Sequence, residues 1–360
     1  MSPVRLTDTP SGSPGRGSPA AAPPVRRTAG SWASGPGSRL LARVVGCYGA
    51  AAVGLFAAGW LLGDATWWLY VSNLSAFYWL APAVPLVVLA ALARWWPAAV
   101  LCALAAAVWL ATFAPAFVPQ SVDVAPDLRV ASYNVDPEPG LAHVGELVAR
   151  VQPDVLLVQE VLPAARDELL AQVPSLPYHD FAPVNSAAPG GGGTAVLSRL
   201  PIVAARPIAG LPVGSRPVNI VTVATDAGPV QVASLHLTSP CSDCTDDPPR
   251  ITEQGLAAEA VTRRAEAERI AAALPDGPLV VGGDLNSSTL NTPRRRLLAA
   301  GLVDLHRAVG SGAGFTRHDW HAWFRIDWLL ASREVTPVDE WVDGQQGSDH
   351  QPVVADVAVP

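Results

Sequence analysis

Between residues 44 and 118 the chain carries three apolar runs that contain no charged residue: 44–62 (VVGCYGAAAVGLFAAGWLL), 74–93 (LSAFYWLAPAVPLVVLAALA) and 98–118 (AAVLCALAAAVWLATFAPAFV). Each is near the roughly 20 residues that a helix rising ~1.5 Å per residue needs to cross a hydrocarbon core. Buried helices of a water-soluble core are the alternative, and three charge-free runs within 75 residues argue against it. Trp60, Trp67, Trp68, Tyr70, Trp95 and Trp96 cluster near their ends, where amphipathic rings favour the membrane–water boundary. Pro82 and Pro85 would kink the second run, which membrane bundles tolerate.

Arginine placement orients these runs. Arg5, Arg16, Arg26, Arg27, Arg39 and Arg43 precede the first run, residues 63–73 carry no arginine, and Arg94 follows the second run. By the positive-inside rule the tail and the Arg94 loop are cytoplasmic, so three transmembrane helices place everything after residue 118 outside the cytoplasm. The expected location is a plasma membrane, crossed several times. Residues 1–43 read as a cytoplasmic tail, disordered through a Pro-, Gly-, Ser- and Ala-rich stretch and too long for a signal peptide. Residues 119–127 read as a linker, and 128–360 as a second domain.

The second domain differs in charge as well as pattern. All 24 basic residues of the chain are arginines; through Arg94 seven face two acids, and beyond it 17 face 29, a balance of −12. That argues against a broad basic surface that coats nucleic acid, though a local basic rim stays compatible. Four cysteines are too few for a disulfide scaffold. Short apolar runs predict strands at 128–134, 154–159, 194–198, 218–224, 230–237, 279–283, 326–331 and 352–359. Helices are predicted at 141–151, 163–172, 254–274 and 293–300. Many strands with helices between them imply two sheets packed face to face with helices outside.

Several of these strands end in chemistry. LVVGGDLNSS (279–288) projects Asp284 and Asn286 from one strand end, although an ordinary Asx-turn has the same sequence. LRVASYNVD ends in Asn134, with Asp136 two residues on; DVLLVQEV ends in Glu160; VQVASLHL carries His236. RIDWLLAS holds Asp327 between apolar neighbours, where an unpaired carboxylate is costly, and GSDHQPVV presents Asp349 and His350 before the last strand. Each alone has a structural explanation.

In order, Asn134, Glu160, GTAVLSR (193–199), His236, GDLN (283–286), Asp327 and SDH (348–350) resemble the endonuclease/exonuclease/phosphatase family, across about residues 128–360. Its members include pancreatic-type deoxyribonucleases, apurinic endonucleases, inositol-polyphosphate phosphatases and bacterial sphingomyelinases. The resemblance implies a four-layer α-β-β-α sandwich, here preceded by three transmembrane helices. It implies Glu160 as the principal Mg²⁺ ligand (Mn²⁺ being possible), with Asn134 beside it, Asp349 near the metal and Asp136 as a further acidic ligand of some relatives. It implies that Asp284 and Asn286 hold the attacking water and a phosphate oxygen, that Asp327 orients His350, and that His236 is the second histidine of the deoxyribonuclease-like and sphingomyelinase-like branches.

The expected activity is metal-dependent hydrolysis of a phosphate ester, a phosphodiester first, on nucleic acid or a phospholipid or sphingomyelin head group. The partners expected are that substrate and the bilayer; no obligate protein partner is inferred. Outside enzymes, the alternative is a catalytically silent binding domain on a membrane tether. PGGGGT (189–194) lacks the Lys-Ser/Thr of a P-loop and reads as a flexible approach to the next strand. Cys241 and Cys244 suit a short-loop disulfide in an oxidising compartment better than a zinc or redox site. His318, Trp320, His321, Trp323 and Phe324 form an aromatic loop, either substrate wall or core.

Overall fold

The apolar runs become helices, but not three straight ones. The computed structural model describes residues 35–118, 120, 122–136, 141–185, 192–240, 252–319, 322–344 and 347–360. Helix α1 (Pro36–Leu62) opens on a proline, whose missing N–H goes unused in a first turn. It takes in residues 36–43, which composition assigns to the tail; residues 1–34 of that tail lie outside the described residues. The second run breaks. Helix α2 (Trp67–Leu74) meets α3 (Ala76–Leu80) and α4 (Ala83–Leu92) at a 70° bend. Ser75 leaves helical geometry at the first break (φ −94°, ψ 10°), and Pro82, without an N–H to donate, marks the second. Helix α5 (Trp96–Phe113) continues through a 3₁₀ turn to Phe117. Among the described residues, two helices are therefore long and apolar enough to cross a membrane, or three spans if the bent pair is one.

Small residues set how these helices pack. A Cβ on Gly49 would stand 2.9 Å from the backbone nitrogen of Cys102, so glycine lets α1 and α5 approach closely. Val45 packs with Ala98 and Cys102, and Ala52 with Ala105, so the two helices run parallel while α4 returns beside them. At one end Trp95 Nε1 donates to Ser38 Oγ at 3.2 Å, next to Arg39 and Arg94. The other end abuts the second domain.

That domain contains β1 (Leu128–Asn134), β2 (Val155–Val161), β3 (Tyr178–Phe181), β4 (Gly193–Ser198), β5 (Ile202–Pro207), β6 (Asn219–Thr225) and β7 (Gly228–His236). It continues with β8 (Leu279–Asp284), β9 (Val303–Asp304), β10 (Arg317–Asp319), β11 (Ala322–Phe324), β12 (Asp327–Ala331), β13 (Thr336–Val342) and β14 (Val353–Ala358). One six-stranded sheet has the order β13-β14-β1-β2-β4-β3, the other β5-β6-β7-β8-β12-β9, and β10-β11 is a separate hairpin. Alternation sorts the side chains. Val130, Leu157, Val232, Val280 and Leu329 fill the space between the sheets. Ala131, Tyr133 and Leu156 face outward to α6 (Val144–Val151) and α7 (Arg166–Gln172). Leu235, Val281 and Trp328 face α8 (Glu253–Ala271) and α9 (Thr292–Ala299) on the other side. Two sheets with helices on both outer faces are the expected α/β sandwich. The elements without a sequence signal are β3, β5, β9, β13, the hairpin and the one-and-a-half-turn α10 (Leu305–Val309). Of these, β5 is an exposed edge and β13 an edge carrying Pro337 and a bulge, so neither needs an apolar alternation.

The helices dock on the sandwich through buried polar groups. The Asp64 carboxylate accepts from Asn73 Nδ2 (2.7 Å), Asn291 Nδ2 (3.0 Å) and the backbone N–H of Thr292 (2.7 Å). Ser288 Oγ donates to the Asn73 carbonyl at 2.9 Å. Of the rings expected near the membrane–water boundary, Tyr70 sits instead in this junction: it is 2% exposed, lies under the Arg263 guanidinium, and donates its hydroxyl to the Asn286 carbonyl at 3.1 Å.

Candidate active site

Strand register brings the sequence candidates together. Parallel β7 and β8 set His236 opposite Asp284, and antiparallel β12 sets Asp327 opposite the same Asp284. In the other sheet, parallel β1 and β2 set Asn134 opposite Gln159, one residue before Glu160. The two rows meet at one end of the sandwich, where Asn134 Nδ2 donates to Glu160 Oε1 (3.0 Å) and Asp284 Oδ2 (3.3 Å).

Unusual backbone aims both carboxylates. Gly283 has φ +142°, and a Cβ there would fall 1.8 Å from the Leu235 carbonyl oxygen, so glycine is required for β7 and β8 to close. Asn286 has φ +46° and donates its N–H to Asp284 Oδ1 at 2.7 Å. The Asx-turn is therefore real, and it uses one carboxylate oxygen while Oδ2 faces His236 (3.6 Å) and His350 (3.7 Å). Asn286 Nδ2 donates to the Leu237 carbonyl at 3.0 Å, tying the loop after β8 to the end of β7. Glu160 has φ +65° at a bulge of β2, a conformation that a non-glycine residue holds at a cost. Gly192 crosses directly over it, since a Cβ there would lie 2.6 Å from Glu160 Cα. Residues 189–191 of the glycine run lie outside the described residues.

Asp327 and His350 form a buried pair, with Nδ1 3.0 and 2.8 Å from the two carboxylate oxygens. Thr316 Oγ1 accepts from the backbone N–H of Asp327 (3.1 Å), and Ser348 Oγ accepts from that of His350 (3.1 Å) while donating to the Asn134 carbonyl (2.9 Å). These bonds fix the dyad to both sheets. Burial disfavours the His350 cation, but Asp327 and Asp284 outweigh it and raise the ring to about 9. The opposite holds at His236, which burial and the charges of Arg216, His350 and Arg317 push well below the usual range. One histidine is thus neutral and the other readily cationic. Asp284 is pushed up to about 7, first by burial, with His350 pulling down and Asp327 pushing up.

Acidic groups converge at the mouth of the site. Asp136 is raised by burial and then by the charges of Asp349 and Glu160, so the three carboxylates repel one another. Glu160 and Asp284 share a single amide donor, Asn134 Nδ2. Oxygen donors gathered with more negative charge than the side chains neutralise fit a hard divalent cation. Among the described residues, Asp284, Asp327 and His350 also have ligand atoms within 4.8 Å of one another. There Asp327 is engaged by His350, which favours the Asn134–Glu160 side for a cation.

Two arginines were not legible as site residues. Arg317, on β10, places Nη1 3.0 Å from His350 Nε2 and Nη2 2.7 Å from Asp349 Oδ2. Only a neutral ring accepts from Nη1; a ring protonated at Nε2 faces Asp284 and Asp349, each at 3.7 Å. Arg216 is 4% exposed, and burial lowers it against the attraction of Glu160 and Asp284. It sits in an aperiodic loop, PVGSRPVN, which gives no sequence signal. In the aromatic loop, Phe324 packs edge-on against Tyr78, and the Tyr78 hydroxyl donates to the Trp323 carbonyl at 2.6 Å. Trp320, His321 and the His318 side chain lie outside the described residues, as do Cys241 and Cys244.

Fold and site define an α/β sandwich with an acidic, histidine-bearing cleft between two sheet ends. The model of the Endonuclease/Exonuclease/phosphatase family matches residues 130–350, and the chain belongs to that family. Its structure is similar to that of an endonuclease/exonuclease/phosphatase from Beutenbergia cavernae, at 23% identity and a TM-score of 0.52, covering 65% of this chain and 72% of that one. It is also similar to the human Nocturnin catalytic domain with bound sulfate (18%, TM-score 0.52, 68% and 98% covered). A third likeness is to an AP endonuclease from Archaeoglobus fulgidus (17%, TM-score 0.50, 63% and 98%). At these identities the likeness establishes the fold. No curated protein matches the chain.

Proposed function

We propose that this chain is a membrane-anchored phosphoesterase that hydrolyses a phosphodiester by in-line attack of water. The observation that carries the reading is the meeting of two rows: Asn134 and Glu160 from one sheet, and His236, Asp284 and the Asp327–His350 pair from the other. A binding module has no need of a buried carboxylate–imidazole pair beside a second carboxylate. Family membership supports the same class, and structural neighbours include an AP endonuclease and a D. rerio TDP2 complexed with single strand DNA product.

Glu160 and Asn134, with Asp136 and Asp349 at the rim, would hold Mg²⁺ or Mn²⁺, which when bound neutralises charge on the phosphoryl oxygens. Asp284 Oδ2, its partner oxygen fixed by the Asx-turn that Asn286 holds in place, takes the proton of the attacking water as the new P–O bond forms; the opposite P–O bond breaks and the leaving oxygen picks up a proton from solvent. His350, which Asp327 makes readily cationic, donates Nε2–H to a phosphoryl oxygen once the Arg317 guanidinium leaves that nitrogen for the phosphate, and neutral His236 contributes an N–H in the same cleft. Arg317, already between His350 and Asp349, suits a phosphate oxygen by its planar fork.

The anchor reading takes α1, α5 and the bent α2–α4 pair as spans of a plasma membrane, with the tail and the Arg94 loop cytoplasmic and the sandwich outside. A head-group substrate is favoured over nucleic acid by the Tyr78–Trp323 contact, which joins the rim of the cleft to the anchor. The domain's acidity also disfavours a polyanion. The test is an assay of the full chain in nanodiscs, with Mg²⁺, against DNA, RNA, sphingomyelin and phosphoinositides. Turnover of a lipid diester alone supports the head-group reading, turnover of DNA or RNA replaces it with the nuclease reading, and turnover of none removes both.

A further inference from the structure

Away from the cleft, a cavity of about 630 Å³ opens where the ends of α1 and α5 meet α9. Trp60, Leu62 and Leu298 give it apolar walls, and Arg264, Arg294, Arg295, Arg296 and Arg307 reach into it. Among the described residues no carboxylate lines it. The arginines differ in how they are engaged. Arg294 is tied to Asp304 at 2.5 Å. Arg295 lies 4.0 Å over the Trp60 ring and donates to the carbonyls of Gly59 and Trp60, and Arg307 donates to that of Ala111. Arg264 and Arg296 share one carboxylate, Glu268, at 2.9 and 3.3 Å, with about half of each side chain exposed. The cavity is therefore basic, in a part of the chain whose overall balance is −12. An acidic body held against an anionic lipid surface is repelled unless the face nearest the lipid is basic. This face is also where the apolar helices end.

We propose that the cavity holds the head group of an anionic phospholipid, its phosphate on Arg264 and Arg296 and its chains along Trp60 and Leu62. Guanidinium forks suit a phosphate, and a tryptophan at a helix end suits the depth at which head group and chain meet. The lipid is a structural ligand, distinct from the substrate, and the proposal rests on α1 and α5 being membrane spans.

The full chain is reconstituted with equal parts of phosphatidylglycerol and phosphatidylcholine, released into detergent, and the lipid it retains is weighed by native mass spectrometry. Wild type should retain phosphatidylglycerol in preference. Arg264→Gln/Arg296→Gln should lower that preference by about fivefold per charge removed, while Arg264→Lys/Arg296→Lys keeps most of it. Circular dichroism confirms that both variants fold, and neither touches the cleft. Equal retention of the two lipids by wild type, or an unchanged preference in the Gln variant, overturns the proposal. Displacement of the lipid by inorganic phosphate overturns it in favour of a plain anion site. If alkaline carbonate strips the chain from membranes, the span reading and this proposal fall together; loss of preference alone leaves the spans standing.

Discussion

Two buried polar clusters lie on either side of the loop that follows β8, and they are built on opposite principles. At the junction with the helices, Asp64 has three donors at 2.7–3.0 Å, every one supplied by the chain. In the cleft, Asp284 Oδ2 has an amide at 3.3 Å and two imidazoles at 3.6 and 3.7 Å, and it shares that amide with Glu160. The first cluster is closed, its carboxylate oxygens satisfied by the chain's own donors. The second is open, with carboxylates held near one another by strained backbone at Glu160 and by Gly283. A closed cluster holds two regions together; an open one leaves room for a cation and a phosphate. Tyr70 joins them, since its hydroxyl bonds the carbonyl of Asn286, within the turn that aims Asp284.

The largest expected effects separate the two clusters outright. Glu160→Gln should lower kcat by about 10²–10³-fold, with partial recovery at high Mg²⁺ or Mn²⁺, whereas Asp284→Asn should lose as much without recovery. Measuring kcat against metal concentration distinguishes them, and identical metal curves would mean that the two carboxylates share one task. Asp327→Asn and His350→Ala should each cost about 10²-fold in kcat, and the double variant little more, because one holds the other. Effects that multiply would break the dyad.

Next in size is the closed cluster. Asp64→Ala should leave kcat of the folded protein within a few-fold of wild type but lower stability by about 3 kcal/mol, through the donors it strands. Calorimetry in detergent reads this, and a collapse of kcat with unchanged stability would move Asp64 into the chemistry. Acid–base linkage sharpens the contrast. His350 is raised to about 9 in the fold, so the stability it contributes is complete below its usual 6.5 and is lost as pH rises past 9. With chelator present, the melting temperature of wild type should fall across that window, and Asp327→Asn should flatten the fall. The smallest effect is at the bridge between the clusters: Tyr70→Phe should cost about 1 kcal/mol in stability and lower kcat a few-fold.

Asp64 and Asp284 also show what the sequence can and cannot reveal. Each follows glycine at the end of an apolar run, LLGD and VVGGD, and nothing local tells them apart. Asp284 stands out through its company, because with His236, Asp327 and the SDH motif it forms a series that resembles the family's. Central strands were readable for a physical reason: buried on both faces, they are nearly continuous apolar runs. Edge strands such as β5 bury little and carry no such signature. Buried Arg216 and half-buried Arg317 carry no local signal because the groups they engage lie far away in sequence. The three apolar runs were plain, yet the bend at Ser75 and the docking of Tyr70 depend on the sandwich they rest against, which a hydropathy profile does not contain.

The most direct test of the account is hydrolysis by the full chain in nanodiscs, run in ¹⁸O-labelled water with a panel of nucleic-acid and lipid phosphodiesters. At least one diester should be cleaved with one solvent oxygen in the phosphate product, and chelator and Glu160→Gln should each suppress the reaction. Stoichiometric binding of a diester without turnover of any, at saturating Mg²⁺, would contradict it and make the cleft a binding site.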